Sequence, residues 1–324
     1  MNIKSMTAPE ITAMLKELGQ PAFRGKQVYT WLHKGVRSYE EMTNLPKTLR
    51  DQLSANYPIN PPKVVRKQES KKDGTIKYLF KIREGQFVEA VYIPDDDRAT
   101  LCISSQVGCK MHCAFCMTGR QGFSAHLTAG EILNQFYAIP ESASLTNIVM
   151  MGMGEPLDNI DNLLQTLDIL TSEWGMAWSP TRITVSTAGV ARTLPRLLDE
   201  SKVHIAVSLH NPFPEERREI MPIEDAYSIK EVCDILRRYD FTHQRRVSFE
   251  YIVLEGMNCS FRHIKELSRL LDGIKCRINL IRFHKIPDSP FFSPDLEKII
   301  EFRDTLTKRG IQTTLRASRG EDIE

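Results

Sequence analysis

Residues 99–120 read ATLCISSQVGCKMHCAFCMTGR, a short apolar run with strand character followed at once by a Cys-x3-Cys-x2-Cys loop at Cys109, Cys113 and Cys116. Three thiolates in one compact loop suit a four-iron cluster and leave one iron open, and an open iron can hold a reactant. A structural zinc site is the competing reading, because Cys102 lies just upstream and four thiolates would close a tetrahedron. The usual zinc pattern is two separated Cys-x2-Cys pairs on two turns, whereas here one loop carries three and Cys102 sits in the apolar run. Seven Cys in 324 residues without a secretory segment speak against a disulfide framework.

Outward from this loop, apolar strand-like runs alternate with helical patterns: ATLCIS, TNIVMMGM, RITVST, VHIAVSL, RVSFEYIVL and CRINLIRF, each followed by a candidate helix. Six such units imply an α/β fold on a parallel sheet. Helix starts are legible, as at Thr128-Ala-Gly-Glu131, where Thr128 can cap a first-turn amide while Glu131 reaches back. Residues 8–57 read as short helices, with Ile11, Met14, Leu15 and Leu18 recurring at three and four and breaks at Gly-Gln-Pro and near Pro46. Three strand-like runs follow, Val64–Gln68, Ile76–Ile82 and Phe87–Ile93, and Asp95-Asp96-Asp97 marks a surface turn before the larger domain.

With 41% hydrophobic residues the chain can bury one large core and a smaller module. No apolar stretch of membrane-spanning length and no signal pattern occurs, so neither membrane insertion nor export is indicated and a cytoplasmic location is expected. Net charge is only +2, but it is unevenly spread: residues 1–98 hold 17 Lys and Arg against 12 Asp and Glu, and residues 99–324 hold 26 against 29. A basic N-terminal third fits either a phosphate-contacting module or a solvated surface with Lys-rich turns such as SKKDG.

The CxxxCxxC loop resembles that of the radical S-adenosylmethionine enzymes, and its flanks, RATLCISSQVGC (98–109) and FCMTGRQGF (115–123), resemble the adenine carbon-2 RNA methyltransferases among them. AFRGKQVYTWLH (22–33), MGMGEPLDN (151–159), VSTAGV (185–190), SLHNP (208–212) and LRASRGEDIE (315–324) extend the likeness over essentially the whole chain. The resemblance implies a partial (βα)6 barrel of radical SAM type over 99–324, a small helical RNA-binding domain over 1–60 and a short β-linker sheet over 61–98. It implies a 4Fe-4S cluster on Cys109, Cys113 and Cys116, S-adenosyl-L-methionine as cofactor, and a reducing electron donor such as flavodoxin. The implied substrates are 23S rRNA and tRNA, presenting adenine in an unstacked loop, and the implied state is a monomer.

Sites of strand-helix barrels lie at the C-terminal ends of the strands, where these motifs fall. Gly154 and Glu155 follow the second strand, and a glycine-flanked carboxylate there could receive an ammonium; by resemblance it holds the cofactor's amino group. Ser186 ends the third strand and Ser208, Leu209 and His210 end the fourth, matching positions that bind the cofactor's ribose and adenine. At the sixth strand, NLIRFHKIP places His284 where the family has an Asn; imidazole can also donate or accept one hydrogen bond.

The family's mechanism uses two further cysteines. One, near the C-terminus, is methylated by a first cofactor molecule; a radical from a second then abstracts hydrogen from that methyl group, and the carbon radical adds to adenine. Cys102 sits where the family places the residue that closes a disulfide with the first and releases the product. Glu89, in FVEAVYIP, matches the proton acceptor, and strand alternation sets it beside Phe87 and Val91 on an apolar face, which should raise its pKa. In the family RGEDIE is followed by Ala-Ala-Cys-Gly, so the methyl carrier is expected about three residues beyond Glu324. A sister activity methylates carbon 8 of the same ribosomal adenine, and a paralogue without the carrier would bind RNA without methylating it. Cys233, Cys259 and Cys276 read as packing residues.

Overall fold

The computed structural model describes residues 3–59, 63–243 and 245–323. The boundary expected at residue 60 lies outside the described residues, as does Glu324. Three helices begin the chain, α1 (Ala8–Glu17), α2 (Phe23–His33) and α3 (Lys47–Asn56). Thr7 starts α1 with a capping box, its hydroxyl accepting from the Glu10 N–H while the Glu10 carboxylate accepts from the Thr7 N–H at 2.7 Å. Gly25 lets α2 cross α1 closely, since a Cβ there would lie 2.0 Å from Thr12 Oγ1.

The strands are β1 (Lys63–Glu69), β2 (Ile76–Arg83), β3 (Gln86–Pro94), β4 (Ala99–Cys102), β5 (Gln106–Gly108), β6 (Phe123–His126), β7 (Asn147–Met150), β8 (Ile183–Thr187), β9 (His204–Ser208), β10 (Val247–Val253), β11 (Cys276–Arg282) and β12 (Gln312–Leu315). Ten of them form one sheet in the order β1-β2-β3-β4-β7-β8-β9-β10-β11-β12. From β4 onward every neighbour is parallel, as expected of alternating strands and helices. The connecting helices are α4 (Met117–Gln121) and α5 (Ala129–Tyr137) before β7, α6 (Ile160–Thr171), α7 (Leu194–Glu200), α8 (Pro214–Ile220) with α9 (Ile229–Leu236), α10 (Phe261–Leu270) and α11 (Leu296–Lys308).

The six strands read from sequence are β4 and β7–β11; the structure adds a seventh, β12, whose QTTL is too short and polar for an apolar-run criterion to find. The three strand-like runs read before residue 98 form β1, β2 and β3; they pair antiparallel and continue the large sheet through β3–β4 pairing. The capping box at Thr128 forms as read, and Glu131 also takes a two-pronged ion pair from Arg83, tying β2 to α5. Inner-face residues of strands from β4 to β12 line one cavity of about 700 Å³, so the sheet curves around it without closing. The C-terminal strap after β12 bridges the opening: Arg319 pairs with Asp95, the Gly320 N–H donates to Asp73, and Asp322 accepts from Ser70 and the Lys71 N–H.

Candidate cofactor site

The three-cysteine loop hangs from a two-stranded ribbon, β5 with β6. Gly108 has φ +76°, and a Cβ there would stand 1.8 Å from the Gly122 carbonyl, so the loop can close only on glycine. Cys109 N–H donates to Gly122 O, Cys116 N–H to Cys113 O, and Ala114 N–H to Ile220 O, anchoring the loop to the end of α8. Cys116 is the residue from which α4 starts.

No disulfide joins these thiols. Burial and one another's charge push Cys109 up to about 11 and Cys113 up to about 12. Among the described residues no three His, Cys, Asp or Glu gather around a single ion position, and the groups bearing on Cys102 are Arg316 and the Met151 N–H, not the three loop thiols. The donor set fits an iron–sulfur cluster, which spreads three thiolate ligands wider than one zinc does and whose positive iron would hold each sulfur deprotonated.

Beside this loop lies Glu155. Gly154 (φ +103°) packs on Gln106, where a Cβ would be 2.6 Å from the Gln106 Cβ, and Gln106 Oε1 accepts from the Glu155 N–H. The Glu155 carboxylate is buried and accepts from Thr187 Oγ1 (2.7 Å), the Leu157 N–H (3.0 Å) and the Ala188 N–H (2.6 Å). Even with three donors, burial lifts it to about 7. A cation beside this carboxylate would favour its ionised form. Ser186 precedes the strand's last residue, so the strand end itself, Thr187, supports Glu155 while Ser186 faces the opposite side.

The fourth strand's end is pinned in a way the sequence did not reveal. Arg217, fully buried on α8, donates to Ser208 O, Leu209 O and Ala188 O and pairs with buried Glu224. Leu209 is buried with both backbone groups in protein hydrogen bonds, its N–H donating to Glu250 O and its carbonyl accepting from Arg217. His210 is likewise committed: Nδ1 accepts from the Ile252 N–H, its carbonyl accepts from Asn258, and its ring meets Phe115 of the cysteine loop edge-on. Burial and nearby Arg217 lower His210 to about 3, so its imidazole is neutral. Ser208 keeps its hydroxyl free of protein partners among the described residues, and His284 lines the cavity with Nε2 2.9 Å from Ser318 Oγ.

Cys102 pairs with Val91 and Val149 across the sheet, and Val149 lines the cavity. Burial raises its thiol, and the Arg316 guanidinium and Met151 N–H act the other way. Glu89 is two residues before Val91 and so shares the face of Cys102. The apolar setting expected for it is absent: its side chain is 44% exposed and lies 3.4 Å from Lys77 Nζ, because Phe87 and its neighbours face open space. Cys233 is buried in α9, while Cys259 and Cys276 are half-buried and unpaired with other thiols.

A buried carboxylate went unread in sequence. Glu250, on the inner face of β10, accepts from Asn279 Nδ2 (2.8 Å) and Ser248, and its Oε2 has no partner among the described residues. The signal was present, an acid within the apolar run VSFEYIV.

Residues 103–270 match the radical SAM superfamily, and residues 1–59 match the ribosomal RNA large subunit methyltransferase N-terminal domain. A probable dual-specificity RNA methyltransferase RlmN of Bacteroides fragilis is 55% identical over 98% of this chain and 92% of its own length. A dual-specificity RNA methyltransferase RlmN of Syntrophus aciditrophicus is 40% identical over the whole of this chain and 94% of its own. The crystal structure of a radical SAM methyltransferase from Sphaerobacter thermophilus superposes with TM-score 0.93 at 41% identity, covering 100% of this chain and 97% of that one.

Proposed function

The chain belongs to the RlmN family of radical S-adenosylmethionine methyltransferases, and on that premise we propose that it methylates carbon 2 of adenine in 23S rRNA and tRNA. The observation that carries the reading is the meeting of a three-thiol loop with a buried, cation-seeking Glu155 at the C-terminal ends of β7 and β8, above a cavity whose inner wall bears Cys102. The 4Fe-4S cluster and S-adenosylmethionine supply one-electron reductive chemistry and the methyl group when bound.

Within this reading Cys109, Cys113 and Cys116 hold the cluster. Glu155 receives the cofactor's ammonium, with Gly154 allowing its approach. The Ser186 and Ser208 hydroxyls and the His284 imidazole bind its polar edges, while Leu209 and His210 form the wall that Arg217 and Asn258 fix in place. Cys102 is the resolving thiol; burial raises its pKa and the Arg316 guanidinium offsets part of that rise. Glu89 accepts the proton lost from carbon 2, from an open and ion-paired position. The carrier cysteine follows the strap that Asp73, Asp95 and Ser70 hold across the cavity opening. Residues 1–60 form the RNA-binding accessory module, and a flavodoxin-type donor supplies electrons in the cytoplasm.

The test is mass spectrometry of nucleosides from rRNA and tRNA after reaction with the reconstituted full-length protein. 2-Methyladenosine is expected; 8-methyladenosine would replace the assignment with the sister activity, and 5′-deoxyadenosine without methylated RNA would favour the carrier-less paralogue.

A further inference from the structure

The cavity has a second polar centre, at the opposite end of the strands from the cysteine loop. His204 opens β9, and Arg246 stands opposite it just before β10, its backbone carbonyl accepting from the Ile205 N–H and its N–H donating to His204 Nδ1 at 3.1 Å. Arg277, second in β11, pairs with Ser248, which is two residues along β10 from Arg246 and on the same face. All three side chains line the cavity. Neighbouring strands thus present an imidazole and two guanidinia side by side at their N-terminal ends.

Among the described residues neither guanidinium has a hydrogen-bond or ion-pair partner. The acid on the same face, Glu250, takes its hydrogen bonds from Asn279 and Ser248, and the charges of Arg316 and Arg277 act on it without an ion-pair contact. After burial, Arg246 and Arg277 are what keep His204 neutral. With Nδ1 accepting from the backbone, the remaining imidazole proton sits on Nε2 as a donor. The ensemble offers two planar forks and one N–H with no acceptor of its own, which suits the oxygens of a phosphate.

We propose that His204, Arg246 and Arg277 seat a phosphodiester of the RNA, so that the strand enters the barrel from the N-terminal ends of its strands while the base reaches toward the cofactor at the C-terminal ends. This rests on the RNA-methyltransferase reading above. From Arg277 to Arg282, at the end of β11, is about 17 Å at 3.3 Å per residue, room for a ribose and a splayed base between phosphate seat and cofactor.

Binding of a synthetic stem-loop RNA carrying the target adenosine to the holoenzyme, measured across salt concentrations, tests it. R246Q/R277Q should weaken binding about tenfold or more and flatten the slope of log K against log salt by about 0.7 for each phosphate that is no longer neutralised. KM should rise while kcat stays within about threefold, cofactor affinity and iron content should be unchanged, and R246K/R277K should recover most of the binding. Unchanged affinity and slope in the Gln variant would overturn the proposal. So would binding that falls together with iron content and is left unrescued by Lys, because that marks a structural role.

A second measurement needs no variant to fold. Neutral methylphosphonates placed singly on either side of the adenosine should reveal one position that reproduces the weakened binding in the wild-type protein, and no such position overturns the seat. Failure of the wild-type holoenzyme to methylate RNA that it binds with the expected slope would count against the functional reading and leave the seat standing.

Discussion

Residues 1–98 carry a surplus of five positive charges and residues 99–324 a deficit of three, yet the unpartnered pair of guanidinia facing one cavity belongs to the second region. In the helical segment several cations are locally engaged. Arg24 donates to Gln27 and Asn44 O, Arg50 to Glu40 O, and Lys26 and Lys34 lie over the Trp174 and Trp31 rings. In the barrel many acids sit on the outer helices, as in the Arg196–Asp161 and Arg269–Glu266 pairs, while Arg246, Arg277 and Arg316 line the cavity. Charge summed along a chain measures how many cations it has; the field at a site depends on which face of which strand carries them.

The comparison breaks most sharply where the barrel's chemistry is removed. Cys113→Ala should eliminate the iron–sulfur absorption and lower RNA methylation by at least about 10³-fold, read by ultraviolet–visible spectra and methyl transfer, while the thermal unfolding of α1–α3 hardly shifts. If methylation survived, the three-thiol loop would not be the reactive centre.

Next comes Arg217. Replacing it by Met strands buried Glu224 and three carbonyls at the ends of β8 and β9, which should destabilise the fold by about 3–5 kcal/mol in denaturant unfolding. A loss under about 1 kcal/mol would mean that the strand ends hold their shape without it.

Glu155 gives a pH signature that the helical segment lacks. Its folded pKa of about 7 is raised above the ordinary carboxylate value of 4.5, so the ligand-free protein binds the extra proton between those values and loses this stabilisation as pH rises from about 4.5 to 7. The cofactor's ammonium needs the ionised form. Affinity for S-adenosylmethionine should therefore fall about tenfold per unit below about pH 7, with proton release on binding in calorimetry, and Glu155→Gln should flatten that profile. A flat wild-type profile would remove the ammonium from Glu155.

The smallest effects belong to the helical segment. Thr7→Ala removes the side-chain half of a capping box and should cost about 1 kcal/mol of stability without altering the RNA salt slope. Lys26→Gln, at a cation that rests on Trp174, should change that slope by less than the barrel pair does. Equal slopes for the two regions would erase the distinction drawn between them.

Much of the site was legible because its chemistry is written in local order. The spacing of Cys109, Cys113 and Cys116 and the glycine before Glu155 are properties of adjacent residues, and so were the runs that became β4 and β7–β11. Glu89 was misjudged in its surroundings because alternation tells which residues share a face but not whether anything covers that face. The bonds that hold Leu209 and His210 in place come from Arg217, Glu250 and Asn258 on other elements, and local order carries no sign of them.

The sequence by itself determined the strand-helix alternation, the cluster ligands and the carboxylate beside them, since each depends on neighbours within a few positions. Only the tertiary structure decided that Glu155 is buried among three donors, that Arg217 locks two strand ends, and that His204, Arg246 and Arg277 converge on one wall. Those outcomes depend on strand order, register and curvature, which bring together residues far apart in the chain and set how much water each one keeps.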